Sequence, residues 1–149
     1  MSGKGGKKMI RLANATMHDQ TGYLADFHRL GFEVESTPRL RPVSGAKEAY
    51  LLAREVVEQA KKEGFHGLLL GGRTDIMIYI AIEAPIRGLQ LYITETMRVR
   101  DEYDRFVFNV KGLTKVYVSH PADLVGAAVA AEIDLELLSS IFKSKIVEE

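Results

Sequence analysis

The chain has 149 residues, 46% hydrophobic and 27% charged, which fits one globular domain with a sizeable core. Lysine plus arginine (20) balances aspartate plus glutamate (20), and this neutrality argues against general nucleic-acid binding through a basic surface. There is no cysteine, which removes thiol catalysis, disulfides and thiolate metal sites together.

The four histidines, His18, His28, His66 and His120, are scattered and form neither an HxxxH nor an HxH pair. Neither a metal site nor a cofactor is therefore expected. No apolar run reaches the ~20 residues that span a bilayer, and no membrane association is expected. Residues 1–8, MSGKGGKK, are basic and glycine-rich without an apolar signal core. They read as a flexible tail before a single domain over 9–149, with the cytoplasm as the expected location.

In chain order, Met9 to Ala13 is a short strand that runs into a turn-rich segment from Asn14 to Gly22. Tyr23 to Leu30 has helical spacing and stops at Gly31. Phe32 to Ser36 alternates apolar and acidic residues, as a half-buried strand does. Residues 37–44 carry two prolines and form a connector. Ser44 is positioned to cap a helix over Ala46 to Lys62. There Ala49, Leu52, Ala53, Val56, Val57 and Ala60 make one apolar stripe, and Gly64 ends the helix.

Phe65 to Leu70 is short and continuously apolar, as a buried parallel strand is, and it ends in Gly71-Gly72-Arg73-Thr74-Asp75. Asp75 to Ala84 is ambiguous, because its isoleucines favour strand. Helix is the reading adopted, with Thr74 as N-cap, because Leu89 to Ile93 is again strand-like and a parallel connection needs a crossover. The loop Thr94-Glu95-Thr96 follows, then a charged run from Arg98 to Arg105. Strands over Arg105 to Val110 and Thr114 to Val118 turn about Lys111-Gly112 as an antiparallel edge hairpin. Helical segments follow from Pro121 to Ala131 and from Leu135 to Ile146. The expected fold is α/β, Rossmann-like and three-layered, with a mostly parallel sheet and an antiparallel C-terminal edge.

Parallel strands place their carboxyl ends, and hence their ligands, at one edge. Three polar loops would meet there. Asn14, Thr16 and His18 form the first, with His18 a candidate for proton transfer because imidazole titrates near neutral pH. Gly71, Gly72, Arg73 and Thr74 form the second, where glycine N–H groups and a helix start suit an anion and Arg73 could fork onto a phosphate. Thr94 and Thr96 form the third. Each loop also has a plain structural reading, as a turn, a helix cap or a solvated edge. The second loop is neither GxxxxGK[ST] nor GxGxxG.

The strand running into ANATMH, the strand-to-loop LLLGGRTD and the strand LYITET with its charged sequel resemble the CRISPR-associated Rossmann fold (CARF) superfamily. The resemblance is to its small stand-alone ring nucleases and covers residues 9–118. It implies a homodimer that binds a cyclic oligoadenylate second messenger of CRISPR-linked antiviral signalling. It implies metal-independent cleavage by attack of a ribose 2′-OH on the adjacent phosphate. Carried over, Asn14, Thr16, His18, Gly71, Gly72, Arg73 and Thr74 line the site, with His18 and Arg73 catalytic. The loops lack the lysine this pattern would favour. Arg87-Gly88-Leu89-Gln90-Leu91-Tyr92 after a GG loop is also similar to the SLOG and nucleoside deoxyribosyltransferase-like group, which would make Glu83 or Glu95 the acid or nucleophile. A non-enzymatic dimeric adaptor is the third reading. The run Ile76 to Ile80 and the small-residue segment Ala122 to Ala131 suggest the dimer face.

Overall fold

A computed structural model of the protein describes residues 8–116. The elements in order are β1 (Ile10–Ala15), a 3-10 turn (Thr21–Tyr23), α1 (Leu24–Arg29), β2 (Phe32–Val34) and α2 (Ala46–Lys62). They continue with β3 (Gly67–Leu70), α3 (Thr74–Ile86), β4 (Gln90–Arg100) and β5 (Phe106–Val116). The sheet order is β2-β1-β3-β4-β5; the first four strands are parallel, and β5 runs antiparallel to β4. This is the expected Rossmann-like α/β fold.

Alternation along the strands assigns residues to the two faces. Ala13, Ala15, Leu68, Leu70 and Leu91 pack against α2 and α3, while Leu12, Leu69, Tyr92 and Val110 join Phe27 of α1 on the other side. All six residues of the expected α2 stripe are buried. β3 is buried along its whole length. It approaches β4 so closely that a Cβ on Gly67 would stand 2.2 Å from the Gln90 carbonyl oxygen.

The Asp75 to Ala84 segment is helical. Ile76, Ile78, Ile80 and Ile82 are at most 5% exposed, and the helix is buried on nearly every side. An isoleucine costs at most about 0.7 kcal/mol in helix propensity. Its burial contributes roughly 1.5–3 kcal/mol, so packing under the parallel pair β3 and β4 wins. A buried carboxylate fastens α3 to α2: Glu83 accepts from the Tyr50 hydroxyl at 2.7 Å and from Arg87 at 2.9 Å.

Several boundaries differ from expectation. Ser44 is not the cap of α2; Gly45 is, and Glu48 instead reaches back to the Ser44 N–H at 3.0 Å. Arg73, not Thr74, is the N-cap residue of α3, and no side chain caps it. Thr94-Glu95-Thr96 is not a loop: β4 continues to Arg100 because β5 pairs with it throughout. Nor is Lys111-Gly112 a turn. Glu95 pairs with Gly112 and Thr96 with Val110, so Lys111 is the extra residue of a bulge in one unbroken strand. The hairpin turn lies in the charged run, where Asp101 Oδ1 accepts the N–H groups of Tyr103 and Arg105, both at 2.9 Å. Arg100–Asp104 (2.6 Å) and Arg105–Asp101 (3.0 Å) pair within that run.

The Ile76 to Ile80 run is core and offers no free apolar face, apart from partly buried Met77. The small-residue segment Ala122 to Ala131, the helical segments after Pro121, the end of the Thr114 to Val118 strand and tail residues 1–7 lie outside the described residues.

Candidate functional site

The site is built where β1, β3 and β4 end. At the end of β1, Asn14 is fully buried. Its Nδ2 donates to the carbonyls of His18 and Ser36, both at 3.0 Å. Its Oδ1 accepts the Thr16 N–H at 3.0 Å and the Thr16 hydroxyl at 2.5 Å. Asn14 is thus the peg that folds the first loop back on itself. His18, freed by that fold, is exposed. Hydrogen bonds from Thr21, through its side chain first and then its backbone N–H, hold the neighbouring Asp19 carboxyl below the usual carboxylate range.

β3 delivers Gly71 and Gly72 against this loop. A Cβ on Gly71 would lie 3.2 Å from Thr16 Cγ2. One on Gly72, where φ is +101°, would lie 2.9 Å from Met17 Cγ. Two bare backbones are what let the loops touch. The N–H groups of Gly71 and Gly72 donate to no described residue, and the first turn of α3 follows at once.

Arg73 does not turn toward them. Its guanidinium forks onto Asp75 at 2.7 and 3.1 Å, and its Nη1 donates to the Val43 carbonyl at 2.8 Å. The competing carboxylate is its own neighbour at i+2, and in this arrangement the guanidinium is engaged there and not in the cleft. Thr74 likewise does not line the cleft.

The result is an open cleft of about 820 Å³, within the range of small-molecule sites. Of the residues singled out from the sequence, Thr16, His18, Gly71, Gly72, Thr94 and Thr96 line it. Asn14 sits beneath it, and Arg73 and Thr74 beside it. Gln20, Tyr23, Met77 and Val110 also line it and had escaped notice. Gln20 lay inside the segment read as a turn, and Tyr23 was read only as part of a helical stripe. No lysine or arginine is among the described lining residues. An anion here would be held by backbone N–H groups and the α3 start.

Glu83 is enclosed between α2 and α3, and Glu95 bonds Thr114 on the exposed edge, so neither lines the cleft. Among the described residues there is no cluster of three or more potential metal ligands, and no helix is long and apolar enough to cross a membrane. Comparison with protein-family models, curated proteins and solved structures returned no match for this chain.

Proposed function

We propose that the protein binds a cyclic oligoadenylate in this cleft and cleaves it, acting as a metal-independent ring nuclease. The observation that carries this reading is the meeting of two glycine N–H groups that donate to no described residue, the start of α3 and an exposed histidine in one cleft. N–H groups of this kind stabilise the charge that builds on a phosphoryl oxygen. In the reaction a ribose 2′-OH attacks the adjacent phosphorus and the P–O5′ bond breaks. The products are a 2′,3′-cyclic phosphate and a 5′-hydroxyl. The 2′ proton leaves and the 5′ oxygen gains one, and His18 serves one of these transfers. Thr94 and Thr96, on the β4 wall, offer hydroxyls to the ribose.

A homodimer is part of the proposal, since a two-fold axis would give a ring with repeated phosphates two equivalent clefts. Sedimentation at twice the 16.6 kDa chain mass is the expected result. The decisive experiment incubates the protein with cyclic tetra-adenylate and cyclic hexa-adenylate in a chelator and resolves products by mass. His18→Ala should bind the ring and cut it about 10²–10⁴-fold more slowly. Cutting at the wild-type rate would remove His18 from the chemistry. Absence of both binding and cutting by the wild type would end the reading.

A further inference from the structure

The hydrogen bonds of the first loop have a direction, and the direction ends in the cleft. Two carbonyl oxygens, of His18 and Ser36, flank one terminal atom of the Asn14 side chain, so that atom is nitrogen. The Asn14 oxygen then faces Thr16 and accepts its hydroxyl proton at 2.5 Å. A hydroxyl has one proton, so the lone pairs of Thr16 Oγ1 face its other neighbours. Two of those are donors, the His18 N–H at 3.2 Å and the Gln20 side-chain amide at 3.1 Å; the third, the His18 carbonyl at 3.1 Å, is a longer alternative for the hydroxyl proton than the Asn14 oxygen. The same Gln20 atom meets the His18 carbonyl at 3.4 Å, which makes it nitrogen too.

Gln20 Oε1 is thereby turned away from the loop. It has no partner among the described residues, on a residue only 8% exposed that lines the cleft. It is not among the sealed, unpartnered polar atoms, and its residue lines the cleft. A phosphate oxygen placed against it would be repelled, and whatever binds there must donate a hydrogen bond. Tyr23 lines the same cleft three residues on, its ring backed by the buried Phe27 at 6.5 Å.

Building on the nucleotide reading above, we infer that Gln20 and Tyr23 form the base pocket of the cleft. Tyr23 offers a ring face for stacking. Gln20 Oε1 accepts from the exocyclic amine of adenine, one half of the contact a free glutamine amide makes to that edge. The phosphates occupy the other end, at Gly71 and Gly72. The cleft therefore has a donor end and an acceptor end, which orients each nucleotide unit.

The test compares wild-type binding of cyclic tetra-adenylate with that of cyclic tetra-inosinate by titration calorimetry. On each base the amine is exchanged for a carbonyl and N1 gains a proton, so the position that would donate to Gln20 Oε1 becomes an acceptor. The inosine ring should bind about tenfold to a hundredfold more weakly. Gln20→Leu should cost the adenine ring about tenfold and erase the preference, while Tyr23→Leu should weaken both rings alike. Equal binding of both rings by the wild type would overturn the base pocket and leave the nucleotide reading standing. So would a preference that survives in a Gln20→Leu variant with an unchanged circular dichroism spectrum. Binding of neither ring by the wild type would overturn the nucleotide reading itself, and the base pocket with it.

Discussion

Replacing Asn14 tests the polarity on which the site depends. Asn14→Ala removes four hydrogen bonds, two given to the carbonyls of His18 and Ser36 and two taken from Thr16. At about 1 kcal/mol net each, the loss is about 3–4 kcal/mol. Part is recovered, because the Thr16 hydroxyl can turn to the His18 carbonyl 3.1 Å away and Ser36 keeps the Gln20 N–H at 2.8 Å. The buried Thr16 N–H recovers nothing.

Asn14→Asp is the sharper probe, being nearly the same shape. Ionised, the new carboxylate would face two carbonyl oxygens with no proton to offer, so at neutral pH it should cost more than alanine. Protonated, it can donate to one of them. Its folded pKa is then raised above the unfolded value of about 3.9. A raised pKa means that stability is fully present below the unfolded value and is lost as pH rises through the folded one. The deficit against wild type should therefore shrink on acidification. Urea unfolding with an unchanged m-value would measure it. An Asn14→Asp protein as stable as wild type at neutral pH would refute the assigned polarity, and with it the outward Gln20 oxygen.

Gly67→Ala should cost about 2–3 kcal/mol and lower the melting temperature, because the new methyl meets the backbone of β4 and only strand separation relieves it. Tyr50 is pushed up to about 12, by burial first and by its bond to Glu83 second. Its neutral form is favoured in the fold, so stability is full below the ordinary value near pH 10 and falls as pH rises toward 12. For a partly exposed ring this is on the order of 1 kcal/mol, and the alkaline loss should be missing in Tyr50→Phe when unfolding is followed against pH. Arg73→Ala should leave ring binding unchanged within about twofold and cost at most about 1 kcal/mol, since the side chain is half exposed and pairs with Asp75. A collapse of binding would show that Arg73 swings into the cleft when ligand arrives.

The layers of this fold were legible in the chain because each rests on a local period. The α2 stripe, the continuous LLL of β3 and the helix stops at Gly31 and Gly64 need no distant partner to be recognised. Even α3, whose isoleucines argue for strand, followed from the parallel strands on either side of it. The glycine loop and the Asn14 to His18 loop were visible as polar breaks after strands, and the sheet brings both to one edge. What the sequence did not contain was the choice among competing partners. Arg73 could serve a phosphate or Asp75, and only the folded distances decide for Asp75. Thr94-Glu95-Thr96 looked like a loop because nothing local reveals that β5 pairs alongside it. Asn14 and Gln20 are both polar loop residues in the sequence. One became a buried peg and the other an open acceptor, because hydrogen-bond direction is set by carbonyls brought in from β2's end and from the loop's own far side. Period is a property of neighbours along the chain, whereas polarity and reach are properties of neighbours in space.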